Sequence, residues 1–226
     1  MTGNQFNIRE IIQNPQDGDF ILAAFDGVLP HLASIGSGGQ WGSQPFSERE
    51  SSRGRINDWV VKSEATQLGE GSEAVRLYIA EVEVEDDRDL SGLSVRTDEQ
   101  GRRFLSVAAA GLREHWWPEY VKKLEPMKPI IEKADADGSA LYLEVLISDF
   151  RTGSARKGVG AALVQKVREY SVSRGAKLLF VDCWAGNNGN LVKFYTSQGF
   201  TPVADILEKK HDAEDWPGKV LQMDLV

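Results

Sequence analysis

The residue pattern most suggestive of chemistry is a pair of glycines at the head of a helical stretch, directly behind two basic residues. They lie in the segment "ARKGVGAALV" (155–164) as Gly158 and Gly160, with Arg156 and Lys157 before them. A helix N-terminus leaves backbone N–H groups unpaired and carries the positive end of the helix dipole, so it attracts anions. Glycine lets an anion approach the backbone because it has no side chain in the way. The pattern therefore predicts a loop that binds phosphate groups.

Two familiar phosphate-binding motifs do not fit this loop. The dinucleotide motif needs a third glycine or alanine in G-x-G-x-x-G, and counting from Gly158 that position holds Leu163. The P-loop needs glycine, four residues, and then Gly-Lys-Ser/Thr. Gly153 and Gly158 have that spacing, but Val159 and Gly160 follow. Both the Rossmann and the P-loop interpretations therefore fail.

Two carboxylates lie in apolar segments that read as buried strands. Glu144 is the only charge in "ALYLEVLI" (140–147), and Asp182 lies in "KLLFVDCW" (177–184). A carboxylate in a buried strand is costly unless it is paired or takes part in chemistry. Glu144 is thus either a functional group or a side chain that faces solvent or forms a salt bridge.

Nucleophilic and metal chemistry find less support. Cys183 would need a base to act as a nucleophile, and His31, His115 and His211 lie in unrelated segments. A cysteine in a buried strand is more often a small apolar filler. The histidines also lack the spacing of metal ligands, so we expect no metal site.

The first half of the chain contains the elements that must position these residues. Helical apolar spacing runs over 19–31, where Pro30 is expected to end the helix, and Ser47 is expected to cap a second helix. Between them lies the Gly- and Ser-rich loop 34–47, which carries Trp41. Alternating apolar residues predict strands over 5–12, 73–85 and 102–112.

The second half of the chain alternates clearly between strands and helices. A helical insertion over 113–139 precedes the nearly continuous apolar run 140–147, which is typical of a central strand covered on both faces. The elements that follow are a helix (158–173), a strand (177–184), a short helix (188–197) and two antiparallel strands (200–207 and 219–226). The pattern predicts a mixed α/β sheet in a single domain, 1–226.

The composition excludes several classes of protein. The chain has 226 residues, a net charge of −8 and a pI near 5.0. An acidic chain without a basic stripe is not expected to bind nucleic acid or an anionic membrane. We see no signal peptide and no apolar run long enough to span a bilayer. The single cysteine rules out an intrachain disulfide and favours a cytoplasmic location.

The stretch from Tyr142 to Phe200 resembles the GCN5-related N-acetyltransferase (GNAT) family, which binds acetyl-CoA. In that family a loop Arg/Gln-x-x-Gly-x-Gly/Ala at the head of a helix holds the coenzyme A pyrophosphate, and here Ala155 stands at its first position. The segment "NNGNLVKFYTSQGF" (187–200) resembles the family's motif Asn-x-x-Ala-x-x-Phe-Tyr-x-x-x-Gly-Phe. The aligned residues are Asn188, Phe194, Tyr195, Gly199 and Phe200, with Leu191 in the place of the alanine.

The resemblance implies a GNAT-like, mostly antiparallel twisted sheet with helices on both faces and a splayed central strand pair. It divides the chain into an acceptor-side half (1–112), the helical insertion (113–139) and an acetyl-CoA-binding half (140–226). The residues that it assigns to the coenzyme are Leu146, Ile147, Arg156, Lys157, Gly158, Val159, Gly160, Ala161, Asn188 and Phe194.

The resemblance also implies a reaction, in which the primary amine of a small molecule attacks acetyl-CoA directly in a ternary complex. Tyr195 would protonate the departing thiolate, because phenol and thiol have comparable pKa values of roughly 10 and 8.5. The alternative for Tyr195 is a core aromatic beside Phe194. Glu144 would be the base, and Asp182 would be a reserve base or a carboxylate that binds the acceptor.

The acceptor side leaves alternatives open. Trp41 lies where the family places its acceptor-binding loop, and it either contacts the acceptor or pins the loop to the core. The aromatics of "HWWPEY" (115–120) suit a second lid or a homodimer interface. The excess of acidic residues favours a cationic acceptor. The rival functions are a non-catalytic acyl-CoA-binding regulatory module and a protein N-terminal or lysine acetyltransferase, whose open groove the insertion 113–139 would obstruct.

Overall fold

The strands of the computed structural model form one mostly antiparallel sheet. The model describes residues 5–12, 15–71, 74–85, 89–208 and 216–225. The strands are β1 (Asn7–Glu10), β2 (Val75–Val84), β3 (Val95–Thr97), β4 (Arg103–Glu114), β5 (Ala140–Ser148), β6 (Leu178–Trp184), β7 (Thr201–Glu208) and β8 (Trp216–Asp224). Their order is β1-β2-β4-β5-β6-β8-β7, with β3 paired to β4. The predicted mixed, mostly antiparallel α/β fold is confirmed.

The helices alternate with these strands along the chain. They are α1 (Pro15–Ser34), α2 (Glu50–Gln67), α3 (Glu119–Lys122), α4 (Lys128–Asp137), α5 (Val159–Ser173) and α6 (Gly186–Ser197). None of the helices in the described ranges is long and apolar enough to cross a membrane. The chain divides into two compact units, one made of 1–31, 43–111 and 145–166, the other of 32–42, 112–144 and 167–226.

Two predictions about helix ends are wrong. Pro30 does not end α1, which continues to Ser34. Proline forfeits one backbone hydrogen bond, and the buried side chains of Leu29 and Leu32 outweigh that loss. Ser47 does not cap α2 either. It lies in a short 3-10 turn (Phe46–Glu48), and its N–H donates to Asp26 Oδ1 at 3.2 Å.

A third difference concerns the turn-rich segment between β2 and β4, which contains the short strand β3. Val95 pairs with Leu105 and Thr97 with Arg103 in an antiparallel ladder. The segment is rich in Gly and Asp, which favour turns, and three residues are too few to show an alternating pattern. Pairing with β4 therefore decides its structure.

In the second unit, β5 and β6 form the parallel pair of the sheet. Their pairing runs from Ala140↔Leu178 to Leu143↔Val181. β6 stays paired with β8 as far as Trp184↔Gly218, although its pairing with β5 ends earlier. The two strands therefore part beyond Leu143, which confirms the predicted splayed pair.

The predicted helical insertion 113–139 starts too early, because Arg113 and Glu114 still belong to β4. The rest of it contains α3, a 3-10 turn (Glu125–Met127) and α4, and it packs on this unit's core. Trp117 and Met127 are buried against Tyr142 of β5 and Phe180 of β6. Trp117 lies edge-on to Phe180, with ring centroids 4.7 Å apart. Trp117 is therefore part of the core, and it is not available to a lid or an interface between copies.

Candidate functional site

The predicted phosphate loop lies at the N-terminus of α5, in the first unit. Gly158 has a φ of +87°, a backbone conformation that residues with a side chain rarely adopt. Its carbonyl accepts the Ala162 N–H at 3.3 Å, which closes the first turn of the helix. Val159 is buried, whereas Gly160 and Ala161 are half-buried. Residue 158 is exposed and left-handed at the start of α5, and its role in binding an anion stays a prediction.

The basic residues around the loop differ in their surroundings. Arg151 is committed to Asp149, because its Nη2 and Nε lie 2.7 and 2.9 Å from the two carboxylate oxygens. Arg156 places its guanidinium 3.5 Å from the ring centroid of Phe150. Lys157 is exposed. Among the described residues, Arg151 is thus the cation of this loop that is held in a bidentate ion pair.

The residues of β5 alternate between two faces of the sheet. Glu144 and Leu146 are half-buried, whereas Val145 and Ile147 are buried. The backbone pairing of Leu146 and Ile147 with the coenzyme stays a prediction from the family resemblance.

Glu144 forms an ion pair with a neighbouring strand. Its Oε2 lies 3.5 Å from Nη1 of Arg113, which is itself buried. The Arg113 guanidinium also lies over the Trp116 ring, 4.3 Å from its centroid. The salt bridge that was one alternative for Glu144 is present. The role of Glu144 as a base stays a prediction.

Asp182 is held by a buried tyrosine. The Tyr142 hydroxyl donates to Asp182 Oδ1 at 2.7 Å. Burial raises the pKa of the Tyr142 phenol well above its ordinary value, and the charge of Asp182 acts in the same direction. Tyr142 therefore stays a donor, and it orients the half-buried carboxylate of Asp182. The sequence contained no signal for this pair.

Tyr195 lies in α6 with only 4% of its surface exposed. Its ring packs edge-on against Phe194 and Phe200, with centroids 5.1 and 5.6 Å away. Burial raises the pKa of Tyr195 well above its ordinary value, and Cys183 and Asp182 contribute electrostatically. Tyr195 is thus a protonated phenol near Asp182 and Cys183. This environment suits a proton donor and also the core aromatic of the alternative.

Cys183 has the properties of a filler rather than a nucleophile. Burial raises the pKa of its thiol to about 12. Since the thiolate is the reactive form, only on the order of 10⁻⁵ of the thiol is ionised at neutral pH. Within the described ranges, no group of three His, Cys, Asp or Glu side chains could hold a metal ion. His211 lies outside those ranges.

The Gly- and Ser-rich loop is anchored in the second unit by two side chains that sequence reasoning missed. Asn187 Nδ2 donates to the Ile35 carbonyl at 3.0 Å and to Ser37 Oγ at 2.6 Å. Trp216 Nε1 donates to the Gln40 carbonyl at 2.9 Å. The half-buried Trp41 follows directly, so its backbone position is set by this anchoring.

The start of α6 has an unusual backbone. Asn187, Asn188 and Gly189 have φ values of 50°, 57° and 67°, three successive residues in the left-handed region. Asparagine and glycine are the residues that tolerate this conformation best, so the sequence "NNG" was a readable signal. Asn188, a predicted coenzyme contact, lies in the middle of this turn, and Phe194 is half-buried on the helix that follows.

Comparisons with known proteins agree with the family resemblance. The model of the acetyltransferase (GNAT) family matches residues 150–200, which include the glycine loop, α5, β6 and α6. The predicted resemblance is confirmed, and at the level of the family the match also bears out the prediction of an acyltransferase. No curated protein sequence matches the chain.

Solved structures share the fold over nearly the whole chain. An N-acetyltransferase from Staphylococcus aureus is 13% identical, with a TM-score of 0.56 over 99% of this chain and 100% of its own. The protein yncA from Salmonella typhimurium, solved with its cofactor acetyl-CoA, is 14% identical, with a TM-score of 0.57 over 99% and 95%. The PaiA N-acetyltransferase from Thermoplasma acidophilum, in complex with coenzyme A, is 10% identical, with a TM-score of 0.50 over 97% and 99%. At these identities the likeness concerns the fold alone.

Proposed function

We propose that this chain is an acetyl-CoA-dependent N-acetyltransferase that acts on the primary amine of a small molecule. The observation that carries the proposal is the loop at the start of α5, where the left-handed Gly158 lies inside the segment 150–200 that matches the acetyltransferase model. An exposed helix N-terminus behind Arg156 and Lys157 suits the pyrophosphate of coenzyme A.

The coenzyme would be held largely by backbone groups. The amides around Gly158 and Gly160 would bind the pyrophosphate, with charge from Arg156 and Lys157. The backbone of β5 at Leu146 and Ile147 would pair with the pantetheine amides. Val159, Ala161, Asn188 and Phe194 complete the proposed set, and all ten assignments rest on the family motif rather than on a bound ligand.

In the proposed reaction the neutral amine attacks the thioester carbonyl in a ternary complex. A carbon–nitrogen bond forms, the carbon–sulfur bond breaks, and the coenzyme leaves as a thiolate. Tyr195 would protonate that thiolate, since its phenol remains protonated at neutral pH. The proton of the amine would go to Glu144, to Asp182 or to water.

The proposed acceptor is a small cation. Asp182 presents a carboxylate that is oriented by the Tyr142 hydroxyl, and the net charge of −8 favours a positively charged partner. Arg113 offsets the charge of Glu144, so Asp182 is the carboxylate that we assign to the acceptor. Trp41, on its anchored loop, would contact the acceptor. A cytoplasmic location and a homodimer belong to this proposal as predictions.

One observation favours a second candidate, the non-catalytic acyl-CoA-binding module. The packing of Tyr195 between Phe194 and Phe200 is also what a purely structural residue would show. The two candidates differ in turnover, because only the enzyme needs an acid and an acceptor.

A screen for thiol release separates the candidates. The protein is incubated with acetyl-CoA and a library of primary amines, free coenzyme A is measured with a thiol reagent, and the acetylated amine is identified by mass spectrometry. An amine-dependent release of coenzyme A supports the enzyme. Tight binding of acetyl-CoA without any acetylated amine supports the binding module, and no binding at all contradicts both.

A further inference from the structure

The ring of Phe150 lies between a histidine and an arginine in the first unit. The His31 ring is stacked on it, with centroids 4.1 Å apart and planes inclined by 25°. The Arg156 guanidinium carbon lies 3.5 Å from the same centroid. Two groups this close to one centroid would overlap if they shared a face, so His31 and Arg156 lie on opposite faces of Phe150. We call these three side chains the Phe150 stack.

Among the described residues, the ring of Phe150 is the contact that holds the Arg156 guanidinium. Its Nε is buried and has no hydrogen-bond partner among the described residues. Asp149 is the carboxylate that acts on it electrostatically, but both oxygens of Asp149 are engaged by Arg151. Burial lowers the pKa of Arg156, and the charge of Asp149 acts in the opposite direction. Such a group is costly unless a ligand supplies the missing anion.

Helix α1 braces the stack from one side. Gly27 and His31 are one helical turn apart, so they share a face of α1. A methyl group at Gly27 would lie 3.1 Å from both Asp149 Oδ1 and Arg151 Nε. The helix therefore approaches the Asp149–Arg151 pair closely, and the same face supplies His31 to the ring of Phe150.

Arg156 lies within the proposed coenzyme loop. Arg156 directly precedes Lys157 and the left-handed Gly158. The residue before it, Ala155, occupies the first position of the loop motif, where the family resemblance leads one to expect Arg or Gln, and it is buried. Its methyl group can supply neither charge nor a hydrogen bond to a phosphate.

We infer that the Phe150 stack positions the Arg156 guanidinium for the phosphates of the coenzyme, in place of the polar side chain missing at Ala155. Phe150 and His31 are positioning residues that act through Arg156. The inference rests on the proposed function, because it assumes that the loop binds coenzyme A. The inference also predicts specificity for the acetyl donor, since only a donor that carries phosphates would be bound by the positioned Arg156.

The test compares two acetyl donors that share the thioester and differ in their phosphates. Binding of acetyl-CoA and of S-acetylpantetheine, which has no phosphate, is measured by calorimetry for Arg156→Gln, Phe150→Leu and the double variant. We expect Arg156→Gln to weaken acetyl-CoA binding by about 10-fold or more, as for loss of a charge-assisted hydrogen bond. We expect Phe150→Leu to weaken it by about 3- to 10-fold, as for loss of a cation–π contact. Binding of S-acetylpantetheine should not change.

Two controls separate positioning from damage to the fold. Phe150→Tyr keeps the ring, so it should restore acetyl-CoA binding to the wild-type level. Phe104 is a buried phenylalanine of the same unit that also carries an arginine, Arg96, 4.6 Å from its centroid. Phe104→Leu removes a more deeply buried ring outside the loop, so it should lower the thermal midpoint without changing the ratio of affinities for the two donors.

The results that overturn the inference differ from those that overturn the proposed function. The stack does not position Arg156 if Phe150→Leu leaves acetyl-CoA binding intact or weakens the binding of both donors equally. The same holds if the double variant loses as much affinity as the two single variants combined. If Phe150→Leu does not fold, the Arg156→Gln variant becomes the test, and unchanged acetyl-CoA binding in that variant refutes the inference. A wild-type protein that binds no acetyl-CoA refutes the proposed function itself.

Discussion

Removing the hydroxyl of Tyr195 is the perturbation that bears most directly on catalysis. The Tyr195→Phe variant keeps the ring and its edge-on contacts with Phe194 and Phe200. The hydroxyl makes no hydrogen bond with another described residue, so we expect the free energy of unfolding to change by less than about 1 kcal/mol. Any large change in turnover then reports the chemistry of the oxygen atom.

The expected loss of kcat is near the lower end of the range for a general acid. That range is about 10²–10⁴-fold. Burial raises the pKa of Tyr195, which weakens the phenol as an acid and lowers the driving force for proton transfer. The same burial leaves 4% of the residue exposed, so water has little access to replace the lost hydroxyl. We therefore expect a loss of about 10²-fold, or about 2.7 kcal/mol at 1.36 kcal/mol for each tenfold change.

The assay is steady-state release of coenzyme A with an acceptor found in the screen. The KM for acetyl-CoA should stay nearly constant, because a thioester sulfur is a poor hydrogen-bond acceptor and the hydroxyl acts only as the carbon–sulfur bond breaks. Since the pKa of Tyr195 is raised, wild-type kcat should show no loss of this acid between pH 7 and about 10. Turnover of Tyr195→Phe within about twofold of wild type would refute the assigned role.

Three further changes test the coenzyme loop, the base and the acceptor loop. Gly158→Glu should abolish acetyl-CoA binding in calorimetry, and Gly158→Ala, which carries the same left-handed strain of roughly 1–2 kcal/mol without the charge, should bind better than the Glu variant. Equal affinities of Gly158→Glu and wild type would contradict the phosphate loop. Glu144→Gln should remove the low-pH limb of the rate profile, whereas an unchanged limb would transfer the role of base to Asp182 or to water. Asn187→Gly allows the left-handed backbone but loses the amide that donates to Ser37, so it should raise the acceptor KM by about tenfold and leave acetyl-CoA affinity unchanged. An unaltered acceptor KM would show that this anchoring does not matter for the acceptor.

Most of the elements, and the position of the glycine loop at the start of α5, could be predicted because their signals are local. Apolar spacing located α5 and β6 to within a residue, since helix and strand periodicities are properties of short segments. The Gly-x-Gly motif behind two basic residues located the start of α5 for the same reason, and its role in binding an anion stays a prediction. Local rules failed where distant parts of the chain intervene: the apolar face of α1 carries the helix past Pro30, and Asp26 binds the amide of Ser47.

By itself, then, the sequence determined most helices and strands in their order, though not β3, together with the glycine loop and, through the family motif, the candidate acid Tyr195. Only the tertiary structure decided which charges are already engaged. Glu144 meets Arg113 and Tyr142 meets Asp182 across neighbouring strands, while Arg156 rests on a ring held by α1. Arg113 and Glu144 are 31 residues apart in the chain, and Tyr142 and Asp182 are 40 residues apart. His31 and Phe150 are more than 100 residues apart. No local pattern encodes such a pairing, because it depends on strand register and helix packing, which the whole fold sets at once.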